Sequence, residues 1–164
     1  MQERNALIEV VDETGRSLGH KERKDVDKRK DILRAVYVLV ENAEGKLLLA
    51  RSQSDPIYPN LWGCSAAGLI RHGETAEDAA KRTVKRELGI NVVLEETGSG
   101  FYDFSGVKRW MWMYRAMANA VQQSASMAES YELTWFSMSD ASSLIKKGKA
   151  MPMLEPQLSA LKSK

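Results

Sequence analysis

Residues 68–90, GLIRHGETAEDAAKRTVKRELGI, contain a loop followed by a helix, and this stretch decides the fold. Thr75 suits the N-cap position of that helix, and Asp78 three residues later completes a capping box. The interior is rich in Ala, Lys, Arg and Glu, which favour helices. Gly89 suits the left-handed position at which helices commonly end. The pattern therefore predicts a helix over residues 75–88.

The same stretch carries a spaced set of glycine, glutamate and arginine residues. It matches seven of the nine specified positions of the pattern G-x5-E-x7-R-E-U-x-E-E-x-G-U, where U is apolar, through Gly68, Glu74, Arg82, Val84, Glu87, Gly89 and Ile90. This pattern is the Nudix box, and the chain resembles the Nudix superfamily. Thr83 and Arg86 stand where the pattern has glutamate. The resemblance makes Glu74 and Arg82 a structural pair that holds the loop to the helix.

Strand-forming runs lie on both sides of this stretch. Alternating apolar residues followed by turn residues at 7–19 predict a hairpin that opens the chain. Residues 121–130 have the composition of a polar loop. We expect further strands at 34–41, 46–51, 62–67, 91–96, 101–104, 107–118 and 131–136.

Two short helices are expected towards the end of the sequence. Ser137 and Asp140 form a second capping box, with the helix ending before Gly148, and Pro156 suits the first turn of a last helix. Because strands and helices interleave irregularly, we predict the α/β class: an α/β/α sandwich with a mixed β-sheet and an N-terminal β-hairpin. A length of 164 residues fits a single domain, which we place at 1–164.

The composition argues against several classes of protein. A formal net charge of +2 is too small for a general nucleic-acid-binding surface. The most basic segment, residues 21–34, has seven bases and four acids, so we interpret it as an ordinary solvated segment. Cys64 is the only cysteine, which excludes an internal disulfide, and no apolar run reaches the length of about 20 residues that a membrane helix needs. We therefore expect a cytoplasmic protein with no membrane partner.

One face of the predicted helix determines what chemistry the box can support. Positions 83, 86 and 87 are spaced i, i+3 and i+4, so they share that face. In an active Nudix hydrolase, glutamates there hold Mg²⁺ ions, which neutralise a diphosphate and activate water. Here Thr83 is neutral, Arg86 is cationic and Glu87 is anionic, so the formal charge of the three is 0 instead of −3. Because a guanidinium opposes a divalent ion, we expect catalysis by several ions to be lost.

Within the superfamily, the chain is similar to the isopentenyl diphosphate isomerase branch, through NAEGKLLLARS, LWGCSAAG and RELGI. The isomerases also have an altered box, which keeps chiefly the glutamate corresponding to Glu87. The resemblance implies a single, weakly held Mg²⁺ that binds together with ligand, on Glu87 and a backbone carbonyl near Ala67 or Gly68. The isomerase reaction itself is not expected, because it needs a cysteine at the position of Ala67 and a metal-binding histidine at that of Leu69.

Cys64 is a poor substitute for that cysteine. It lies three residues before Ala67, and in a strand such an offset points to the opposite face. We expect it to pack as a small buried hydrophobe. His20 and His72 are the only histidines, which leaves no cluster to rebuild an isomerase metal site.

Several further residues are candidates for phosphate or metal contacts. The resemblance gives Arg51 a contact with the diphosphate, against the alternative of a surface ion pair, and matches Lys21 more weakly to an upstream lysine. Arg86 either binds phosphate oxygens in place of the missing metal charge or turns outward to pair with a surface acid. A later acid completes the metal site in many active members, so Glu129 and Glu132 join Glu87 as candidate catalytic residues.

Residues 109–117, RWMWMYRAM, place three aromatic side chains on one side of a strand and two methionines on the other. The aromatic ladder either stacks a base or a prenyl chain, or it packs between the sheet and a helix, which is the commoner role.

Two hypotheses for the function follow. The first is a Nudix hydrolase homologue that acts on a nucleoside diphosphate-linked compound, with weakened or lost Mg²⁺-dependent hydrolysis. The second is a non-catalytic binding module that captures a nucleotide, an RNA end or a partner protein in the same cleft. A small phosphorylated molecule is the expected ligand, and a homodimer is common in the superfamily.

Overall fold

The computed structural model describes residues 6–163, so the two ends of the predicted domain, residues 1–5 and 164, lie outside the described residues. Nine strands form one mixed sheet. They are β1 (Leu7–Val11), β2 (Ser17–Glu22), β3 (Ile32–Glu41), β4 (Leu47–Arg51), β5 (Trp62–Gly63), β6 (Ala66–Leu69), β7 (Glu95–Phe104), β8 (Val107–Met117) and β9 (Glu132–Phe136). The helices are α1 (Ala76–Leu88), α2 (Ala125–Ser130), α3 (Met138–Lys146) and α4 (Leu154–Lys162), with a 3-10 turn at Arg23–Asp25. No helix within residues 6–163 has the length and apolar character needed to cross a bilayer.

The central strand β3 organises the molecule. It runs parallel to β8 from Leu33–Arg109 to Glu41–Met117, and antiparallel to β1, β4 and β6. Seven of its ten residues are buried and the other three are partly buried, which is typical of a strand that is covered on both faces. The predicted opening hairpin is confirmed as β1 paired with β2, and β2 lies at the outer edge of the sheet.

Helices cover both faces of this sheet. Alternate side chains of β3, such as Leu33 and Leu39, pack in one cluster with α3 and α4. The side chains between them, such as Val36 and Val38, pack in a second cluster with α1. Full burial of such a side chain stabilises the fold by roughly 1.5–3 kcal/mol relative to exposure. The predicted α/β/α sandwich is confirmed.

The predicted helix of the opening stretch is also confirmed. Thr75 Oγ1 accepts a hydrogen bond from the Asp78 amide at 3.1 Å, and Gly89 ends α1 in the left-handed conformation with φ 68°. In the same way, Ser137 Oγ accepts from the Asp140 amide at 3.0 Å and begins α3. These helix ends depend on neighbours within four residues, which is why the sequence alone predicts them.

Two predictions on the second half of the chain are wrong. One continuous strand, β7, takes the place of the strands predicted at 91–96 and 101–104. The first predicted strand begins too early, because Val92 and Leu94 pack against the α1 cluster without a strand partner. The predicted polar loop contains α2, whose N-cap Ser124 accepts from the Met127 amide at 3.3 Å.

The sheet divides between β3 and β4, and this division makes room for a cleft. The two strands pair only through Val40 and Glu41 of β3. Beyond that point β5 pairs with β4, and β6 pairs with β3. Ser65 bridges the gap, because its Oγ accepts from Val40 N at 2.8 Å and donates to Leu48 O at 2.5 Å. The strand predicted at 62–67 is therefore two short strands.

Candidate functional site

Glu87 lies where α1 meets this division of the sheet. Its Oε1 accepts a hydrogen bond from the Ala67 amide at 3.3 Å, and its Oε2 accepts from Arg86 Nη2 at 2.8 Å. The side chain is only 13% exposed. Burial raises the pKa of Glu87, and the opposing effects of Arg86 and the Ala67 amide do not cancel that rise. The fold therefore holds a carboxylate whose charged form is disfavoured.

The expectation that positions 83, 86 and 87 all face the cleft is wrong for Thr83. Thr83 is fully buried, and its Oγ1 has no hydrogen-bond partner among residues 6–163. It packs beneath Gly68, where an added Cβ would lie 2.5 Å from Thr83 Oγ1. The glycine of the box thus lets α1 approach β6, and the short threonine side chain ends in that contact instead of reaching the cleft.

Arg86 and Glu87 line a cleft of about 210 Å³, which we call the outer pocket. Arg86 has not turned outward, since it pairs with Glu87 inside this pocket. The charged residues of the lining are Arg23, Lys28, Asp55, Arg86, Glu87 and Arg109. Four cations and two acids give the lining a formal charge of +2, which suits an anionic ligand.

Three of these cations were missed by the sequence analysis. Arg109 is only 6% exposed, and its Nη1 donates to the carbonyls of Lys28 at 3.1 Å and Lys108 at 2.8 Å. Arg23 and Lys28 belong to the segment that we interpreted as solvated. Desolvation, followed by the charges of Arg23 and Arg109, lowers the pKa of Lys28. Cations are therefore crowded closely enough to disfavour one another.

A second cavity, of about 100 Å³, lies deeper and is called the inner chamber. It shares walls with the outer pocket through Tyr37, Asp55, Ala67, Glu87, Tyr131, Met151 and Met153. Cys64 and Ala67 both line it, so the expectation that they point to opposite faces is wrong, because the strand is interrupted between them. Cys64 is buried as expected, and burial, with a smaller effect of Glu87, raises the pKa of its thiol to about 12.

Four other candidates lie apart from Glu87. Arg51 Nη2 pairs with Glu132 Oε1 across β4 and β9 at 2.6 Å, and the guanidinium lies over Trp62 at 4.5 Å. Glu129 and Glu132 line an open surface depression beside Arg51. Lys21 Nζ pairs with Asp31 at 2.9 Å. None of the four lines the outer pocket or the inner chamber, and their predicted roles stay predictions.

The structural pair of the box is complete. Arg82 Nε donates to Glu74 Oε2 at 2.8 Å, and Arg82 Nη2 donates to Glu74 Oε1 and Leu69 O, both at 3.0 Å. Glu74 Oε1 also accepts from the Arg71 amide at 3.0 Å. These bonds tie the loop after β6 to the middle of α1, as the resemblance implied.

The aromatic ladder of β8 belongs mainly to the core. Trp112 and Tyr114 pack in the cluster beneath α1, and Trp110 lies against the turn of the opening hairpin at Gly15. Met111 and Met113 are buried in the opposite cluster. The ladder therefore packs between sheet and helix.

The donor set does not fit a preformed centre of several Mg²⁺ ions. Within residues 6–163, no three His, Cys, Asp or Glu side chains are placed so that they could hold a metal ion together. Both oxygens of Glu87 already accept protein hydrogen bonds. A single ion on Glu87 would compete with the Arg86 guanidinium for the negative charge of that carboxylate.

Comparison with known proteins gives a consistent result. The family model described as NUDIX domain matches residues 31–156. An uncharacterized Nudix hydrolase of Pseudomonas aeruginosa is 36% identical over 116 residues, which cover 70% of this chain and 69% of that protein. One of Listeria innocua is 43% identical over 67 residues, which are 40% of either chain. A crystal structure of a Deinococcus radiodurans protein superposes with a TM-score of 0.78 at 21% identity, over 94% of this chain and 98% of that one.

Proposed function

Because this chain belongs to the Nudix family, we propose that it binds a nucleoside diphosphate-linked compound in the outer pocket and hydrolyses it only weakly. The observation that carries this proposal is the charge of the outer pocket. Four cationic side chains line this pocket together with Glu87, which is the one remaining glutamate of the three that the box places on this helix face. A diphosphate would neutralise that excess of positive charge.

The guanidinium groups supply the geometry for binding. Arginine presents its N–H donors as a planar fork that matches phosphate oxygens, and it stays charged at every relevant pH. Arg109 is held in place by two backbone carbonyls, so little side-chain freedom is lost when it binds. Lys28 gains from a bound anion, because desolvation and its neighbours Arg23 and Arg109 disfavour its charge in the free protein.

Weak hydrolysis follows from the state of the box. Nudix hydrolases generally use a divalent metal such as Mg²⁺. Here Thr83 is buried below Gly68, and Arg86 neutralises Glu87. We expect at most one Mg²⁺, held by Glu87, by a backbone carbonyl near Ala67 or Gly68, and by the phosphate oxygens of the ligand. Such an ion would bind together with the ligand and poorly without it.

A screen of nucleoside triphosphates, nucleotide sugars, dinucleoside polyphosphates and ADP-ribose tests this function. Thermal shift and phosphate release are measured on the same samples, with Mg²⁺ or Mn²⁺. We expect ligand-dependent stabilisation with slow release that Glu87→Gln abolishes. No stabilisation by any compound would contradict the proposal, and stabilisation without any release would favour the pure binding module instead.

A gain of activity provides the sharper test. Thr83→Glu with Arg86→Glu should raise Mg²⁺-dependent release at least about tenfold, because it restores carboxylates at the box positions. Arg86→Glu alone is the safer variant, since Thr83 is buried and a glutamate there must pass Gly68. Lys85→Glu makes the same change of charge on the exposed face of α1 and should have no effect. Equal rates in all folded variants would count against the role given to the box.

Two further predictions concern the whole protein. A homodimer in solution would be measured by light scattering on a sizing column. A cytoplasmic location would be measured by cell fractionation. Neither bears on the chemistry of the outer pocket.

A further inference from the structure

The inner chamber contains a buried polar group that the fold leaves unused. Gln157 of α4 is 2% exposed and lines the chamber. Its Nε2 donates to Met153 O at 3.1 Å, one turn earlier in the helix. Its Oε1 is buried and has no hydrogen-bond partner among residues 6–163. A buried acceptor without a donor is costly, on the order of 1–3 kcal/mol, so such groups are rare unless a ligand or water serves them.

Several other polar groups of the chamber are already engaged. Ser65 Oγ bridges β3 and β4, and Ser52 Oγ lies 3.1 Å from Ser54 Oγ. Asp55 Oδ1 accepts from the amides of the two residues that follow Pro56. Cys64 Sγ donates to Ala66 O at 3.2 Å. Among the buried side-chain atoms of this lining, Gln157 Oε1 is the one that has no hydrogen-bond partner within residues 6–163.

The walls of the chamber suit a flat ring. Tyr37, Tyr131, Met151 and Met153 supply aromatic and thioether surface, which packs well against planar groups. Because Gly63 has no side chain, Met151 can pack against its backbone. A Cβ at position 63 would lie 2.7 Å from Met151 Sδ. The volume of about 100 Å³ is several times what one water requires, which is roughly 10–15 Å³.

We propose that the inner chamber holds the nucleobase of the ligand, and that Gln157 Oε1 accepts a hydrogen bond from an N–H group of that base. The inference rests on the proposed function, because it places the diphosphate in the outer pocket and the base beyond the walls that the two cavities share. It makes Gln157 a specificity-determining residue. Inorganic pyrophosphate, which has no base, would occupy the outer pocket alone.

Calorimetric titration of Gln157→Met tests this assignment, because methionine keeps the length of the side chain and removes the amide. The probes are inorganic pyrophosphate and the 5′-diphosphates of adenosine, guanosine, cytidine and uridine. The tightest of the four should bind the unaltered protein at least about tenfold more tightly than pyrophosphate. Gln157→Met should remove about tenfold of that affinity, the loss expected for one hydrogen bond to a buried group, and leave pyrophosphate unchanged. Gln122→Met, on an exposed side chain, is the control.

The outcomes separate the two proposals. If pyrophosphate binds but no nucleoside diphosphate binds more tightly, or if Gln157→Met changes neither, the base lies elsewhere and the inference is wrong while the outer pocket stands. If none of the five probes binds, the proposed function fails and the inference with it. A merely structural Gln157 would lower the melting temperature and weaken all probes alike.

A measurement on the ligand side needs no variant. The analogue of the tightest nucleoside diphosphate whose base N–H groups are methylated should bind the unaltered protein at least about tenfold more weakly than its parent. Equal affinity of parent and analogue would overturn the assignment of Gln157.

Discussion

The helix α1 carries two arginine–glutamate pairs that differ in what surrounds them. The clamp, Glu74 with Arg82, has two parallel hydrogen bonds, a further bond to a carbonyl and one from a backbone amide. The pocket pair, Glu87 with Arg86, has one bond between neighbouring residues and a single amide. Both carboxylates are largely buried.

Their pKa values shift in opposite directions. Burial alone would raise the pKa of Glu74, but the bonds from Arg82 and the Arg71 amide outweigh it, and the pKa is lowered. Burial raises the pKa of Glu87, and its partners do not compensate. The clamp therefore stabilises the fold, whereas the pocket pair keeps a charge where the fold disfavours it. Such disfavoured charges are typical of binding and catalytic sites.

Removal of the clamp is expected to have the largest effect on stability. Glu74→Ala leaves the Arg82 guanidinium and the Arg71 amide without the carboxylate, so the free energy of unfolding should fall by about 3 kcal/mol. Because the folded pKa of Glu74 is lowered, its contribution is present above the unfolded value of 4.5 and is lost as pH falls through the folded pKa. Urea unfolding at pH 7 and at pH 4 measures both effects.

An exposed pair on the same helix is the control for the clamp. Glu77 Oε2 lies 3.3 Å from Lys81 Nζ, and both side chains are more than half exposed. Glu77→Ala should therefore cost no more than about 0.5 kcal/mol. Equal losses from the two alanine variants would show that the clamp has no special role.

The pocket pair should respond in the opposite way. Glu87→Gln removes a disfavoured charge, so at pH 7 its melting temperature should equal or exceed that of the unaltered protein. Because the folded pKa of Glu87 lies above 4.5, the advantage is fully present above the folded pKa and disappears as pH falls below 4.5. Removing an anion from a cationic pocket should also strengthen pyrophosphate binding roughly tenfold.

Thermal unfolding across this pH range and calorimetry at pH 7 test Glu87→Gln. Glu77→Gln, which makes the same change at an exposed position of α1, should alter neither quantity. A clear loss of stability at pH 7 in Glu87→Gln would mean that both pairs serve the fold, and the contrast between them would disappear.

The clamp and the helix that carries it could be predicted from the sequence, whereas most of the pocket could not. The clamp and the caps of α1 join residues at most eight positions apart, so their spacing encodes them. The three cations that the outer pocket adds to Arg86 come from the segment between β2 and β3 and from β8, and the parallel pairing of β3 with β8 brings Arg109 there. Gln157 arrives from α4, near the other end of the chain.

Arg109 did leave a signal in the sequence. It shares the inward face of β8 with Met111 and Met113, and an arginine in such a pattern indicates a buried guanidinium with a specific role. Thr83 is a residue whose helix face the sequence predicts correctly but whose contact it does not. Its position in the box predicts its face of the helix, but the length of its side chain decides that it stops beneath Gly68.

The smallest expected effect concerns Lys28, the cationic counterpart of Glu87 in the outer pocket. Its pKa is lowered from 10.5 by desolvation and by Arg23 and Arg109, so it loses its proton at a lower pH than an ordinary lysine. Pyrophosphate affinity should therefore begin to fall at a lower pH than an ordinary lysine would allow. Lys28→Arg, which keeps its charge, should bind within about twofold of the unaltered protein at pH 7 and increasingly more tightly than it as the pH rises towards 10.

Calorimetry between pH 7 and pH 10 measures the difference, with Lys24→Arg, in the same segment between β2 and β3, as the control. Titration of pyrophosphate itself is common to all three proteins and cancels in the comparison. Parallel curves for Lys28→Arg and the unaltered protein would mean that the ammonium does not contact the phosphates. Divergence confined to Lys28→Arg would show that the Lys28 ammonium contacts the phosphates. The outer pocket would then hold two disfavoured charges beside the same ligand, the Glu87 carboxylate and the Lys28 ammonium, and the bound anion would stabilise only the lysine.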